Sequence, residues 1–262
     1  MISPLNKINP YKITLIVLTV LAPAVTFAAD YEAKLNWSQR TGLGTPVSGV
    51  VEKVFVVTGD KVKKGEKLVQ LDASVFSAHV QEYKAKLKSA EEHYREAERE
   101  RDRAVELYDR TVLSDHDLQM AKNNLTMAKA QMEKVRAALK AKQFDLKYST
   151  VRAPFDVLVL SITAQPGQVI ATEFKQEPLV VVAAANKMLA RFYVEEEQLA
   201  VMVKGKEATI MVADKKYTGT IKAIGLEVEM NLKGATGYPV DVEFKVNGTI
   251  LRSGQTAKVG IN

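Results

Sequence analysis

The sequence predicts a mixed α and β chain: a β-sandwich split in two, an antiparallel α-helical hairpin inserted between its halves, and a small β-barrel after them. Three observations lead there. Residues 75–147 form a highly charged stretch without Gly or Pro, whose apolar positions recur at alternating steps of four and three. Two segments rich in β-branched residues flank it and superimpose at an offset of 108 residues. From residue 187 onward, short alternating runs replace the helical period.

A chain of 262 residues has room for one large domain or two or three small ones. Its 37 Lys and Arg against 31 Asp and Glu leave a formal charge of +6 and a pI near 9.2. The basic residues are interspersed with acids rather than gathered in a stripe, so nucleic acid is not an expected partner. A mildly basic surface suits an acidic protein or an anionic lipid instead. The chain has no Cys, which excludes disulfides, thiol catalysis, zinc–thiolate sites and a lipid-modified N-terminal Cys.

Residues 1–28 read as a signal peptide. Lys7 and Lys12 precede an apolar run over residues 13–28, and Thr26 and Ala28 occupy the small-residue positions of a cut before Ala29. At roughly 16 residues, with Pro23 inside it, the run is short for a membrane span. An uncleaved inner-membrane anchor is the alternative reading. No later stretch is apolar enough to span, so the mature chain is expected to be exported and soluble or peripheral.

Residues 29–45 form a polar lead-in that holds the only Trp, Trp37. Residues 46–73 read as three strands joined by tight turns at Gly59-Asp60 and Gly65-Glu66. The hairpin occupies residues 74–147. Its first arm places Phe76, Val80, Tyr83, Leu87, Ala90, Tyr94, Ala97, Ala104 and Tyr108 on one seam, with Arg101 as the polar interruption. The second arm places Leu118, Ala121, Leu125, Ala128, Met132, Val135, Leu139 and Leu146 there, interrupted by Lys142. This 3.5-residue repeat makes helices coil around each other. The break at residues 109–114, with β-branched Thr111 and Val112, is so short that the arms must fold back on each other.

Residues 148–184 repeat the earlier β pattern. The offset lays Pro46 on Pro154, Val54 on Ile162 and Gly59 on Gly167. Neither half is large enough to bury a core alone, so the two are expected to pair into one sandwich. Residues 185–262 predict the barrel: strands at 189–194, 209–212, 217–225, 238–245 and 256–261, and a helix at 195–203 with acids in its first turn and Gly205 as its cap.

This order of parts resembles the periplasmic adaptors, or membrane fusion proteins of the HlyD/AcrA type, that serve tripartite efflux pumps. Residues 46–72 look like the first biotinyl-lipoyl-like half-motif of that family, and Arg152-Ala153-Pro154-Phe155-Asp156 looks like the start of the second. Lys216-Tyr217-Thr218-Gly219-Thr220-Ile221 and Leu251-Arg252-Ser253-Gly254-Gln255 are similar to its barrel segments. Two features depart from the pattern: Val157 stands where the family usually has Gly, and a membrane-proximal domain after the barrel is not expected from this sequence.

Adaptors that dock TolC-type channels are similar to one another at the hairpin tip, in an Arg, a Leu four positions on and a Ser seven beyond. Arg103, Leu107 and Ser114 fit that spacing. Arg103 and Leu107 share one helix face off the seam. Two plainer readings stand beside this one: Ser114, followed by Asp117, is a helix N-cap, and Arg103 pairs with Glu100 or Glu106.

In carrier domains of the lipoyl class a modifiable Lys sits where the halves join. Here that junction is Asp72-Ala73-Ser74, so no covalent cofactor is expected. His79, His93 and His116 lack the spacing of a metal site, and no catalytic constellation is evident. The resemblance therefore implies a non-enzymatic periplasmic adaptor. Its partners would be an inner-membrane RND-type transporter, a TolC-type outer-membrane channel and further copies of itself, three or six, with peripheral association to the inner membrane. The alternatives are the adaptor of a type I secretion or ABC-type exporter, and a periplasmic ligand- or metal-binding protein.

Overall fold

The computed structural model describes residues 30–172, 177–230, 236–248 and 250–261, so the expected signal peptide lies outside the described residues. The chain enters as β1 (Asp30–Trp37), a barrel strand, and crosses into the sandwich as β2 (Arg40–Leu43), β3 (Gly49–Val54), β4 (Lys61–Val62) and β5 (Lys67–Leu71). Two helices follow, α1 (Ser74–Asp109) and α2 (Asp115–Tyr148). The sandwich resumes with β6 (Thr150–Arg152), β7 (Val157–Ile162), β8 (Val169–Ile170) and β9 (Val180–Ala184).

The repeat seen in the sequence is a two-fold exchange of strands. Shifting by 108 residues carries β3 onto β7 and β4 onto β8. Each half lends its short strand to the other: β3 pairs with β8 and β4 with β7, giving sheets β2-β9-β7-β4 and β6-β5-β3-β8. The bonds that fasten them are reciprocal. Gly59 N–H donates to Val159 O at 2.9 Å and Gly167 N–H to Val51 O at 2.8 Å. Both turns need positive φ, at +99° for Gly59 and +86° for Gly167, a conformation that costs glycine little. Asp60 and Gln168 close the same turns by accepting from Val57 N–H (2.8 Å) and Gln165 N–H (3.0 Å). The buried faces of Val51, Leu68, Leu71, Val157, Val159 and Val180 meet in one core.

The helices emerge from an antiparallel pair. β5 and β6 are hydrogen-bonded neighbours, with Val69 opposite Val151 and Gln70 opposite Thr150, so the helical hairpin replaces the loop of a β-hairpin. Leu71 N–H donates to Ser149 O at 2.8 Å as the last rung. Polar groups buried at this junction are satisfied: Thr45 Oγ1 donates to Tyr148 O (2.7 Å) and Ser149 Oγ to Leu146 O (2.8 Å), which caps carbonyls that a helix end leaves open. Asp72 accepts from the hydroxyl and N–H of Ser74, and these bonds hold its carboxyl below the usual range. Every fully buried helical residue lies on the expected seam: Val80, Ala90, Ala97 and Ala104 on α1, and Leu118, Met132 and Leu139 on α2.

The barrel is formed by β1, β10 (Lys187–Val194), β11 (Glu207–Val212), β12 (Lys215–Ile224), β14 (Thr236–Lys245) and β15 (Thr256–Ile261), with α3 (Glu196–Leu199) after β10 and β13 (Glu229–Met230) before β14. The six run β10-β1-β15-β11-β12-β14, and a β10–β14 pairing closes the ring. Arg191 reinforces the closure with a two-pronged bond to Asp241, at 2.7 and 2.8 Å.

Two sequence expectations change here. The lead-in at 29–45 is not a separate element, because β1 completes the barrel and β2 joins β9 of the sandwich. Residues 185–262 supply only five ring strands, and β10 and β15 would keep open edges without β1 between them. The helix expected over 195–203 is a single turn, because the chain leaves it at Ala200 and sends Met202 into the barrel core.

A Cβ at Gly219 would sit 2.6 Å from Glu243 O and 2.8 Å from Ile210 Cδ1. Backbone cannot yield as a side chain can, so Gly219→Ala is expected to cost about 1–3 kcal/mol, read as a lower midpoint in denaturant unfolding.

Candidate functional site

The hairpin tip is where helical packing ends and side chains remain unassigned. α1 stops in a Schellman arrangement: Thr111 N–H donates to Tyr108 O at 2.8 Å and Val112 N–H to Leu107 O at 3.0 Å. Thr111 has φ +58°, a left-handed conformation costly for a β-branched residue. The break read from Thr111 and Val112 is thus a tight reversal, five residues from Arg110 to Ser114. Tyr108 ties the helices across it: its hydroxyl bonds to Asp115, which raises the Tyr108 pKa.

Ser114 is the N-cap of α2. Its Oγ accepts Asp117 N–H at 3.2 Å while its hydroxyl hydrogen goes to Asp117 Oδ2 at 2.6 Å. Asp115 and Asp117 also place negative charge at the positive end of α2. The capping reading of this residue therefore describes what it does within the chain.

Arg103 behaves differently. Arg95, Arg99 and Arg101 each sit against an acid one to three residues away, namely Glu92, Glu96 and Asp102. Arg103 is exposed and makes no hydrogen bond or ion pair among the described residues, so the pairing with Glu100 or Glu106 is not formed. Leu107, one turn nearer the tip, is half-buried. Val112 is 70 % exposed, and its N–H bond to Leu107 O brings its backbone to the end of the same helix. Sequence reading treated Val112 only as a helix breaker; an apolar residue in a five-residue turn with no core to enter was the signal that it faces outward. The tip thus joins two unpaired guanidinium groups, of Arg103 and Arg110, to two aliphatic side chains on a stiff, capped support.

Elsewhere His79, His93 and His116 are all exposed, and among the described residues no three His, Asp or Glu are grouped to hold a metal ion. No described helix is long and apolar enough to cross a membrane.

A family model for the CzcB-like, barrel-sandwich hybrid domain matches residues 42–184, more than half of the chain and the span from β2 to the end of β9. The chain belongs to this family. Membership agrees with the resemblance to membrane fusion proteins drawn from the sequence. The barrel-sandwich hybrid chain is 27 % identical over 245 residues to the macrolide export protein MacA of Yersinia pestis, covering 87 % of this chain and 66 % of that one. It is 25 % identical to the toluene efflux pump periplasmic linker TtgD of Pseudomonas putida, covering 86 % and 53 %. It therefore spans two thirds or less of the length of these relatives. Among solved structures, the membrane fusion protein Spr0693 of Streptococcus pneumoniae superimposes with a TM-score of 0.65 at 18 % identity, over 89 % of this chain and 98 % of that one. A MacA–MexA chimera carrying the MexA α-hairpin of Pseudomonas aeruginosa gives 0.62 at 22 % identity, over 89 % and 78 %. At these identities the structures show a shared fold.

Loss of the Ser114 cap separates its structural part from any contact beyond the chain. Ser114→Ala is expected to cost about 1 kcal/mol and to speed amide exchange in the first turn of α2. Ser114→Asn, which keeps an acceptor for Asp117 N–H, should restore both.

Proposed function

We propose that this chain is the periplasmic adaptor subunit of a tripartite efflux pump, bridging an inner-membrane RND-type transporter and a TolC-type outer-membrane channel. One observation carries the reading. A hairpin rooted in a β-ladder ends in the exposed, unpaired side chains of Arg103 and Arg110 near Leu107 and Val112, while Arg95, Arg99 and Arg101 farther from the tip are paired. An exposed cation with an apolar stem beside aliphatic groups suits a protein interface, where Arg is a frequent anchor.

The rod supplies reach. α1 has 36 residues, and at 1.5 Å per residue it extends about 50 Å. Ser114 sets the start of α2 and so fixes the direction in which the tip residues are presented. Arg103, Leu107 and Ser114 are the residues proposed to meet the channel, Ser114 chiefly through its cap. Several copies, three or six, would ring a channel, with sandwich and barrel surfaces as lateral and transporter-facing contacts. The role needs no catalysis and no cofactor, since the mechanism is positioning of partners.

A second reading is favoured by the macrolide export proteins among the relatives: the transporter would then be of the ABC type. The two differ in the expected state of the leader, so mass spectrometry of the N-terminus discriminates. A cut before Ala29 supports the first reading and a retained apolar run over residues 13–28 supports the second.

Arg103→Glu combined with Leu107→Asp is expected to lower tip-to-channel cross-linking and export by about tenfold or more, on the scale of losing an interface anchor. The melting midpoint should barely move, because neither side chain is in the buried seam. Export and cross-linking that both survive would refute the docking role.

A further inference from the structure

The hairpin has two unlike flanks. Every fully buried helical residue lies on the seam, so residues a heptad apart in either arm keep to one side of the rod. One flank is marked by the ion pair of Glu91 with Arg136 at 3.5 Å, which crosses from arm to arm. Lys122 and Lys129 stand there in heptad step with Arg136. The other flank is marked by a groove between the arms, which Lys86, Ser89 and His93 of α1 share with Gln131 of α2. Heptad steps toward the tip carry Ser89 onto Arg103 and His93 onto Leu107, and they carry Gln131 onto Asn124. Met127 and Met120 lie one turn before Gln131 and Asn124, on the same side. The second flank therefore holds Arg103 and Leu107 from α1, with Met120 about level with Arg103 on α2.

Both thioethers are open to solvent, Met120 at 51 % and Met127 at 62 % exposed. Neither belongs to the seam, which α2 fills with Leu118, Leu125 and Met132. From Met120 to Gln131, α2 puts no charge on this flank, only Met120, Asn124, Met127 and Gln131. A solvated face of so charged a rod carries Lys and Glu, as the opposite flank does. Exposed apolar groups aligned with an unpaired guanidinium mark an interaction surface instead.

We propose that Met120 and Met127 are the α2 half of the docking face, and that its partner is a helical surface bearing an aliphatic ridge and a carboxylate. The inference rests on the tip-docking reading and adds the second helix to it. The ridge would lie along the flank over Leu107 and Asn124, with Arg103 at one rim and the thioethers at the other. The carboxylate answers the fork of Arg103. Methionine's unbranched, polarisable chain lets that rim adapt to the shape of the ridge. A heptad separates the two Met residues, so the contact runs about 10 Å along the rod and not only across the turn.

The thioethers themselves supply the readout. Dilute hydrogen peroxide transfers one oxygen to each exposed sulfur, giving sulfoxide and water, and mass spectrometry reads the yield at each Met. In the full chain mixed with a purified TolC-type channel, oxidation at Met120 and Met127 should slow several-fold. Met230 on the barrel, 71 % exposed, should keep its rate. The chain has no Cys, so Val112→Cys places a single cross-linker at the tip. Met120→Glu with Met127→Glu should lower its cross-linking to the channel about tenfold or more, on the scale of losing interface anchors. Met120→Leu with Met127→Leu should preserve it, and Lys129→Glu on the opposite flank should leave it unchanged. Cross-linking from residue 112 with undiminished oxidation at both Met residues overturns the inference and leaves the tip-docking reading standing. Protection that grows with protein concentration in the absence of channel also overturns it, and assigns the flank to a neighbouring copy. No cross-linking from Val112→Cys with Arg103 and Leu107 intact refutes the tip-docking reading itself, and this inference with it.

Discussion

The ladder between β5 and β6 is the interaction on which the rest depends. Both helices begin and end on it, and their spacing and direction are set where Val69 faces Val151 and Gln70 faces Thr150. Leaving that ladder, the chains must pass from strand to helix within a few residues and with their polar groups satisfied. Asp72 and Ser74 do this on one side, and Thr45 and Ser149 on the other. Thr45 lies next to β2 in sequence but bonds to the end of α2, so the sandwich grips the base of the rod from both of its halves.

The sandwich can offer such a grip because neither half owns a complete sheet. Strand exchange makes each half's edge the other's interior, and removing either half exposes unpaired backbone in both sheets. The inserted hairpin is therefore fastened at its base through two paired strands rather than one tether. Motion at its base would break rungs on β5 and β6 that also close the sandwich core.

Much of this was legible in sequence, and the reasons differ by element. The seam was readable because a 4-3 repeat over two long arms has few other solutions, and all seven fully buried helical residues obey it. The repeat was readable because turn glycines at 59 and 167 are needed for their φ. The lead-in was not. Tyr31, Ala33, Leu35 and Trp37 do alternate, but β1 finds its partners more than 150 residues away in β10 and β15, and no local signal says that a barrel is one strand short. At the tip, the spacing of Arg103, Leu107 and Ser114 was visible, whereas the lack of an acid on Arg103 and the left-handed Thr111 are properties of packing.

The same constraint limits how far the rod can reach. α1 and α2 are nearly equal, at 36 and 34 residues, because both must close on one ladder and meet in one short turn. Adding residues to one arm alone would carry its end past the other. An insertion other than a heptad would also rotate the seam, turning Ala97 and Ala104 out and charged residues in. Reach can therefore change only by matched heptads, about 10 Å at a time. The seam itself favours close approach: α1 repeats Ala at 90, 97 and 104, and Ala90 lines one groove with Ala128 and Val135 of α2. Arg101 is the exception, with its Nε buried and held 2.9 Å from Asp102 Oδ1 in an ion pair that lacks hydrogen-bond alignment. A polar group at one seam position penalises slipped registers, which would set it against a different part of the facing arm. In a rod whose ends are already fixed by a ladder and a capped turn, that penalty falls on the last two turns before the tip, where a slip would move Arg103 and Leu107 off their face.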